Sequence, residues 1–279
     1  PVDLDHVGFI VPELAAARAL FEGLGFTLTA RADHTRRDAQ GRVSPAGSAQ
    51  HSVMFGTGYI ELMQITDPLA GHQLTPAMHE RFGLHVLALG TPDAVTCNAM
   101  RQRAGLEVGA VMDWSRPVTT PERSGLARFL YFDTRWTVGD PSYVCWVHHA
   151  TPELVRSPSL LRHANGATAL RGLRYAGPRA ALLAWGRRLV QAGAVAASGF
   201  DGSGRLSLGE SGIELVPDET MARVLPVGLT IAFPSLAPLQ AAAQRLGLTA
   251  VAQGPDTLDI DLGPGFGLTL HAVVEARAR

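Results

Sequence analysis

The sequence predicts an α+β protein made of four copies of one small unit, paired two by two. Three observations lead there. The stretches "VPELAAARALFEGLGFT" (11–27) and "FPSLAPLQAAAQRLGLT" (233–249) align without a gap, the signature of an internal repeat. Each has a leading proline, about three turns of amphipathic helix, and Leu-Gly before a strand, where glycine suits a left-handed helix end. Two weaker copies lie between them, "LHVLALGTPDAVTCNAMRQRAGLEV" from Leu84 and "LRGLRYAGPRAALLAWGRRLVQAGAV" from Leu170.

Short strand-like runs precede and follow each helix. In the first unit the following runs are 26–30, 50–55 and 59–65, and in the second 108–112, 128–133 and 143–148. The third offers 205–208 and 212–216, the fourth 257–260 and 268–273. The pattern is strand, helix, three strands. One helix and four strands cannot cover both faces of a sheet, so the units are expected to pair. A stretch punctuated by Pro152, Pro158, Asn165 and Gly166 reads as a linker at 151–167. It divides an N-terminal half, 1–150, from a C-terminal half, 168–279.

Composition narrows the functions. The chain has 279 residues and 46% hydrophobic content, enough for about two domains with buried cores. A net charge of -1 gives no footprint for nucleic acid or an anionic membrane. All 24 basic residues are arginine, which excludes a Schiff-base lysine and a phosphate-loop lysine. Two cysteines, Cys97 and Cys145, make no disulfide framework and fit a reducing cytoplasm. No apolar run approaches about 18 residues, and no export signal is legible. HExxH, paired CxxC, GxSxG and dinucleotide-loop patterns are missing, so hydride transfer and serine hydrolysis find no support.

The repeated unit resembles the βαβββ module of the vicinal oxygen chelate superfamily, which includes glyoxalase I, extradiol dioxygenases and bleomycin- or fosfomycin-resistance proteins. The stretches "LDHVGFIV", "GYIELMQITDP" and "PELVRSPSLLRHANGA" are similar to a narrower glyoxalase-like family of two-barrel proteins. The resemblance implies two open mixed β-barrels, each from two modules, around a divalent metal: Fe, Mn, Ni or Zn. Ligands in the superfamily come from the first and fourth strands of each module. Those positions are taken as His6 and Glu61, His85 and Cys145, Gly172 and Glu214, and Gly228 and about Thr269. The gapless alignment that sets Val11 on Phe233 also sets His6 on Gly228, so the metal set, His6, Glu61 and His85, is expected in the N-terminal half alone.

Two neutral imidazoles and a carboxylate with open positions suit such a metal and a bidentate oxygen substrate. A metal would also explain an imidazole inside the apolar strand around His6 and relieve an unpaired carboxylate inside a barrel. Glu61 is the carboxylate placed to act as a base. Cys145 stands where a second carboxylate would, and reads as a cavity-lining thiol or a zinc ligand. His51, Arg116 and Arg128 are candidate substrate contacts, the arginines for an anionic group. His148, His149 and His163 read as packing or capping groups at the junction of the halves. The expectation is a metal-dependent dioxygenase, lyase or isomerase acting on a small oxygenated metabolite, and a homodimer is compatible with it. The alternative is a non-catalytic protein that sequesters a small molecule.

Overall fold

The computed structural model describes residues 2–37, 42–72, 74–135, 137 and 139–275. The first module is β1 (Asp3–Ile10), α1 (Leu14–Gly23), β2 (Ala32–Arg37), β3 (Val43–Met54) and β4 (Tyr59–Ile65). A 3-10 turn (Pro68–Ala70) and the short helix α2 (Thr75–Glu80) lead into the second: β5 (Gly83–Gly90), α3 (Ala94–Arg103), β6 (Met112–Thr119), β7 (Ser124–Asp133) and β8 (Tyr143–His149). After α4 (Pro152–Val155) comes the third: β9 (Ala169–Gly177), α5 (Arg179–Ala192), β10 (Val195–Ala196), β11 (Gly204–Leu208) and β12 (Ser211–Pro217). The fourth is β13 (Leu225–Phe233), α6 (Ala237–Arg245), β14 (Ala250–Gly254), β15 (Thr257–Asp261) and β16 (Thr269–Val274).

Each pair of modules forms one eight-stranded mixed sheet, ordered β2-β3-β4-β1-β5-β8-β7-β6 and β10-β11-β12-β9-β13-β16-β15-β14. In both, the leading strands of the two modules run antiparallel at the centre, and each pairs in parallel with the fourth strand of its own module. The sheets are open mixed barrels, and the second module continues the first across the β1–β5 seam.

The helices form because their apolar residues fall on one face: Leu14, Ala17 and Phe21 are the buried side of α1, and Leu239, Ala242 and Ala243 that of α6, the spacing of an amphipathic helix. Gly25 (φ 89) and Gly247 (φ 69) take the left-handed conformation just past those helices, as the Leu-Gly signal requires. One continuous core joins the helix side of both sheets, including ring contacts between the halves, Phe9 with Phe266 at 5.6 Å and Phe26 with Phe233 at 6.4 Å. Two smaller clusters fill the other, concave face of the first sheet.

Differences from the sequence reading fall at sheet edges. The second strand of module one is 32–37 rather than 26–30, and that of module two is 112–119 rather than 108–112; Val108 makes a single bridge to Thr134. The chain leaving each helix first crosses to the edge in extended form, and only there finds a partner. The short edge strands β10 and β14 carry few buried residues, so no period-2 apolar pattern marked them.

Candidate functional site

Directly paired residues of neighbouring strands project to the same face of a sheet. Along the concave face of the first sheet this places His6 and Gly8 of β1, Tyr59, Glu61 and Met63 of β4, Gln50 and Ser52 of β3, Val86 and Ala88 of β5, and Tyr143 and Cys145 of β8. Trp114 and Arg116 of β6, paired with Phe129 and Ala127 of β7, continue it. His6, Glu61, Cys145 and Arg116 thus share one face, and His85, the third member of the expected set, does not.

Glu61 sits on this face beside Gly8. A methyl group added at Gly8 would lie 3.2 Å from Glu61 Oε2 and 2.8 Å from Val86 Cβ, so the glycine opens the space that the carboxylate occupies. His34 of β2 reaches the same carboxylate, its Nε2 3.7 Å from Glu61 Oε1, while its Nδ1 bonds Ser48 Oγ at 2.7 Å. His72, between β4 and α2, also feels both groups: burial first, then the His34 charge, lowers its pKa to about 4, against a smaller raising effect of Glu61. Neither His34 nor His72 was singled out from the sequence. The signal for His34 was weak: one imidazole in an edge strand of polar residues.

His6 stands on a second polar group. Asp5 is an extra residue in β1, where the register with β5 slips between Leu4 and His6, a β-bulge that re-aims its side chain. Its carboxylate holds His6 Nδ1 at 2.7 Å and His149 Nε2 at 2.9 Å. Burial alone would raise the Asp5 pKa, but the bonds from His149 and His6 overcome it and hold the carboxyl far below its ordinary range. The His6 ring stacks on Tyr59 at 4.3 Å. Burial, then the charges of Asp5 and Glu61, push the Tyr59 phenol well up, so it stays protonated.

Other predicted residues go elsewhere. His85 is the bulge residue of β5, and its Nε2 meets the Arg81 carbonyl at 3.0 Å. It lines a crevice with Arg223, Val224 and Leu225 of the second half, and burial lowers its pKa to about 4. The residue of module two that matches His6 is Val86: His6 pairs with Ala88 as Val86 pairs with Gly8 across the antiparallel seam. Counting back from the leading prolines Pro12 and Pro92 gives the same match, so the sequence contained the correct register.

His51 projects to the helix side with its partner Leu62, its Nδ1 on the Thr29 carbonyl at 2.8 Å. Arg128 lies on the outer side of β7, paired through Nε with Asp113 at 2.9 Å, both well exposed. Cys145 is buried among Val86, Ala88, Tyr143 and Val147, and burial pushes its thiol well above the ordinary value. A thiol so placed is a packing group rather than a thiolate ligand. His163 ties the linker to module one, accepting from Thr27 N–H and meeting the Met54 carbonyl.

The metal set expected from the resemblance therefore does not assemble. Among the described residues no three His, Cys, Asp or Glu side chains are grouped to hold a metal ion; a hydrophobic Val86 replaces the second imidazole and a protonated thiol the second carboxylate. In the second sheet, Gly172 takes the place of His6 and Arg174 that of Gly8. Arg174 spans Glu214 (2.7 Å) and His271 (3.2 Å), and His271 is held by Asp259 at 2.6 Å. The register partner of Thr230 is His271, so His271 rather than Thr269 is the fourth-strand counterpart of Cys145.

Comparisons with known proteins agree with this architecture. The chain superposes on a hypothetical protein from Staphylococcus aureus with a TM-score of 0.67 at 11% identity, covering 99% of this chain and 100% of that one. A triple mutant of 4-hydroxymandelate synthase from Streptomyces coelicolor gives 0.60 at 14% identity, covering 100% and 94%. Catechol 2,3-dioxygenase gives 0.56 at 12% identity, covering 98% and 88%. At such identities the likeness is one of fold. No curated protein matches the chain. The glyoxalase-like domain profile matches residues 4–190, two thirds of the length, and the chain belongs to the glyoxalase-like domain family.

Proposed function

We propose that the first barrel binds a small oxygenated metabolite and moves a proton on it, as an isomerase or lyase, with Glu61 as the base. The observation that carries this reading is the Glu61 carboxylate on the concave face, beside Gly8 and 3.7 Å from His34 Nε2. The face around this carboxylate is otherwise lined by Met63, Val86 and Cys145, so it is the carboxylate there that can take a proton. Glu61 would take the proton from a carbon beside a carbonyl, the electron pair passing into the enolate. The His6 Nδ1–H is committed to the Asp5 carboxylate, so His6 Nε2 would accept from a hydroxyl of the substrate. In a 2-hydroxy carbonyl compound, passage of the hydroxyl proton to the former carbonyl oxygen and return of the carbon proton to the former carbonyl carbon give the isomer. Where the carbon on the other side carries a leaving group, the enolate electron pair expels it and gives the lyase product.

These proton transfers use side chains of the protein itself. The test is deuterium exchange in D2O, followed by NMR, on a panel of small 2-oxo and 2-hydroxy acids, with and without chelator. Exchange that is lost in Glu61→Gln and survives chelator is the expected result. Exchange abolished by chelator and restored by one metal would replace this reading with the metal-dependent one. Binding of a panel member without exchange would favour sequestration, the reading that the apolar floor Val86, Tyr143 and Cys145 also supports.

A further inference from the structure

Two polar groups on the concave face, the Gln50 carboxamide oxygen and the Arg116 guanidinium, have no hydrogen-bond or ion-pair partner among the described residues. Gln50 is only 7% exposed, and its Oε1 is buried without a hydrogen-bond partner among the described residues. A buried carboxamide oxygen left unbonded is costly, and such a group calls for an explanation. Gln50 is paired with Met63, one step along the face from Glu61 and its partner Ser52. At the other end, Arg116 has no ion pair among the described residues; its guanidinium lies 5.7 Å from the centre of the Phe129 ring. Arg128, by contrast, is spent on Asp113, and Arg156 donates to the Gly56 carbonyl.

We propose that the first barrel selects small hydroxy-carboxylates, with Arg116 holding the carboxylate and Gln50 the hydroxyl, on either side of Glu61. A guanidinium recognises a carboxylate through paired N–H donors. A hydroxyl both donates and accepts, so it satisfies the Gln50 carboxamide in either orientation of its amide. Beside Glu61 the face carries the apolar Val86, Cys145 and Phe129, which fits a hydrocarbon or ring spacer. This assignment rests on the first barrel being the ligand-binding half, as in the functional reading above. It makes Gln50 a specificity-determining residue.

Binding can be separated from chemistry. Titration calorimetry would compare 4-hydroxyphenylacetate with phenylacetate, and 6-hydroxyhexanoate with hexanoate. In the parent protein at least one hydroxy acid is expected to bind about tenfold more tightly than its deoxy partner, one hydrogen bond's worth. In Gln50→Leu, and in the longer, more adaptable Gln50→Met, that preference should fall below about twofold while the deoxy acid binds as before. Arg116→Leu should weaken both members of a pair more than tenfold and keep their ratio. Melting temperatures of all variants establish that they are folded. If no acid of either pair binds the parent, or if the preference persists in both Gln50 variants, the proposal is overturned. The titrations need no turnover, so a Glu61→Gln protein that binds normally but does not exchange protons, or a parent that binds without exchange, bears on the functional reading and not on this one.

Discussion

Asp5 and His85 occupy the same position of the repeat: each is the extra residue of a bulge in the leading strand of its module, one residue before the side chain that faces the cavity. In module one the bulge supplies a carboxylate under His6, and in module two it sends an imidazole to the boundary between the halves. The bulge recurs at Arg171 and Val227 in the second sheet. One backbone device thus serves four different side chains.

Removing the Asp5 charge should destabilise the protein at neutral pH. Asp5→Asn keeps one acceptor oxygen and puts an amide donor in place of the other, so either His6 or His149 loses its acceptor, at a cost of about 1–3 kcal/mol. The folded carboxyl titrates well below its unfolded value of about 3.9, so its contribution is present above that pH and lost as pH falls further. The melting temperature of the parent should therefore fall more steeply than that of Asp5→Asn below about pH 4. Parallel curves would remove the Asp5 node from the account.

His85 and His72 should make stability rise with pH. Both are held to about 4 in the folded chain against 6.5 for the free imidazole. Between those values the unfolded chain binds more protons, and stability is lost as pH falls through that window. His85→Gln should flatten the dependence while leaving ligand binding unchanged, because its ring meets the Arg81 carbonyl and not the cavity. Loss of ligand binding in this variant would restore His85 to the site.

The two cysteines should be inert in the folded protein. Cys97 and Cys145 are both buried, and the Cys145 thiol is pushed up by burial. Alkylation by iodoacetamide at pH 8 is expected only after unfolding. Cys145→Ser should cost about 1–3 kcal/mol, since the new hydroxyl would be buried among apolar neighbours, and Cys145→Ala less in polar terms. A Cys145 that reacts readily in the native protein would point to a thiolate and reopen the zinc reading.

Gly8→Ala tests the space around the base. The added methyl would meet Val86 Cβ at 2.8 Å and Glu61 Oε2 at 3.2 Å. Overpacking of this kind costs about 1–3 kcal/mol, and it should lower exchange activity beyond what the loss of stability explains. Arg128→Ala, at an exposed pair, should change stability by less than about 0.5 kcal/mol and leave activity intact.

The sequence by itself determined the four modules, their order and the pairing into two mixed sheets. These rest on signals local to the chain: a leading proline, an amphipathic helix, a Leu-Gly end, and repetition. The resemblance pointed to His6, Glu61 and Cys145 as first- and fourth-strand positions; that Arg116 lies on β6 and shares their face was seen only in the structure. Tertiary structure decided the rest. A bulge moves the following side chain to the other face, so His85 is one residue out of register with His6. His34 comes to Glu61 only because β2 and β4 lie in one sheet. That contact joins residues 27 positions apart in sequence, and nothing local to either partner records it.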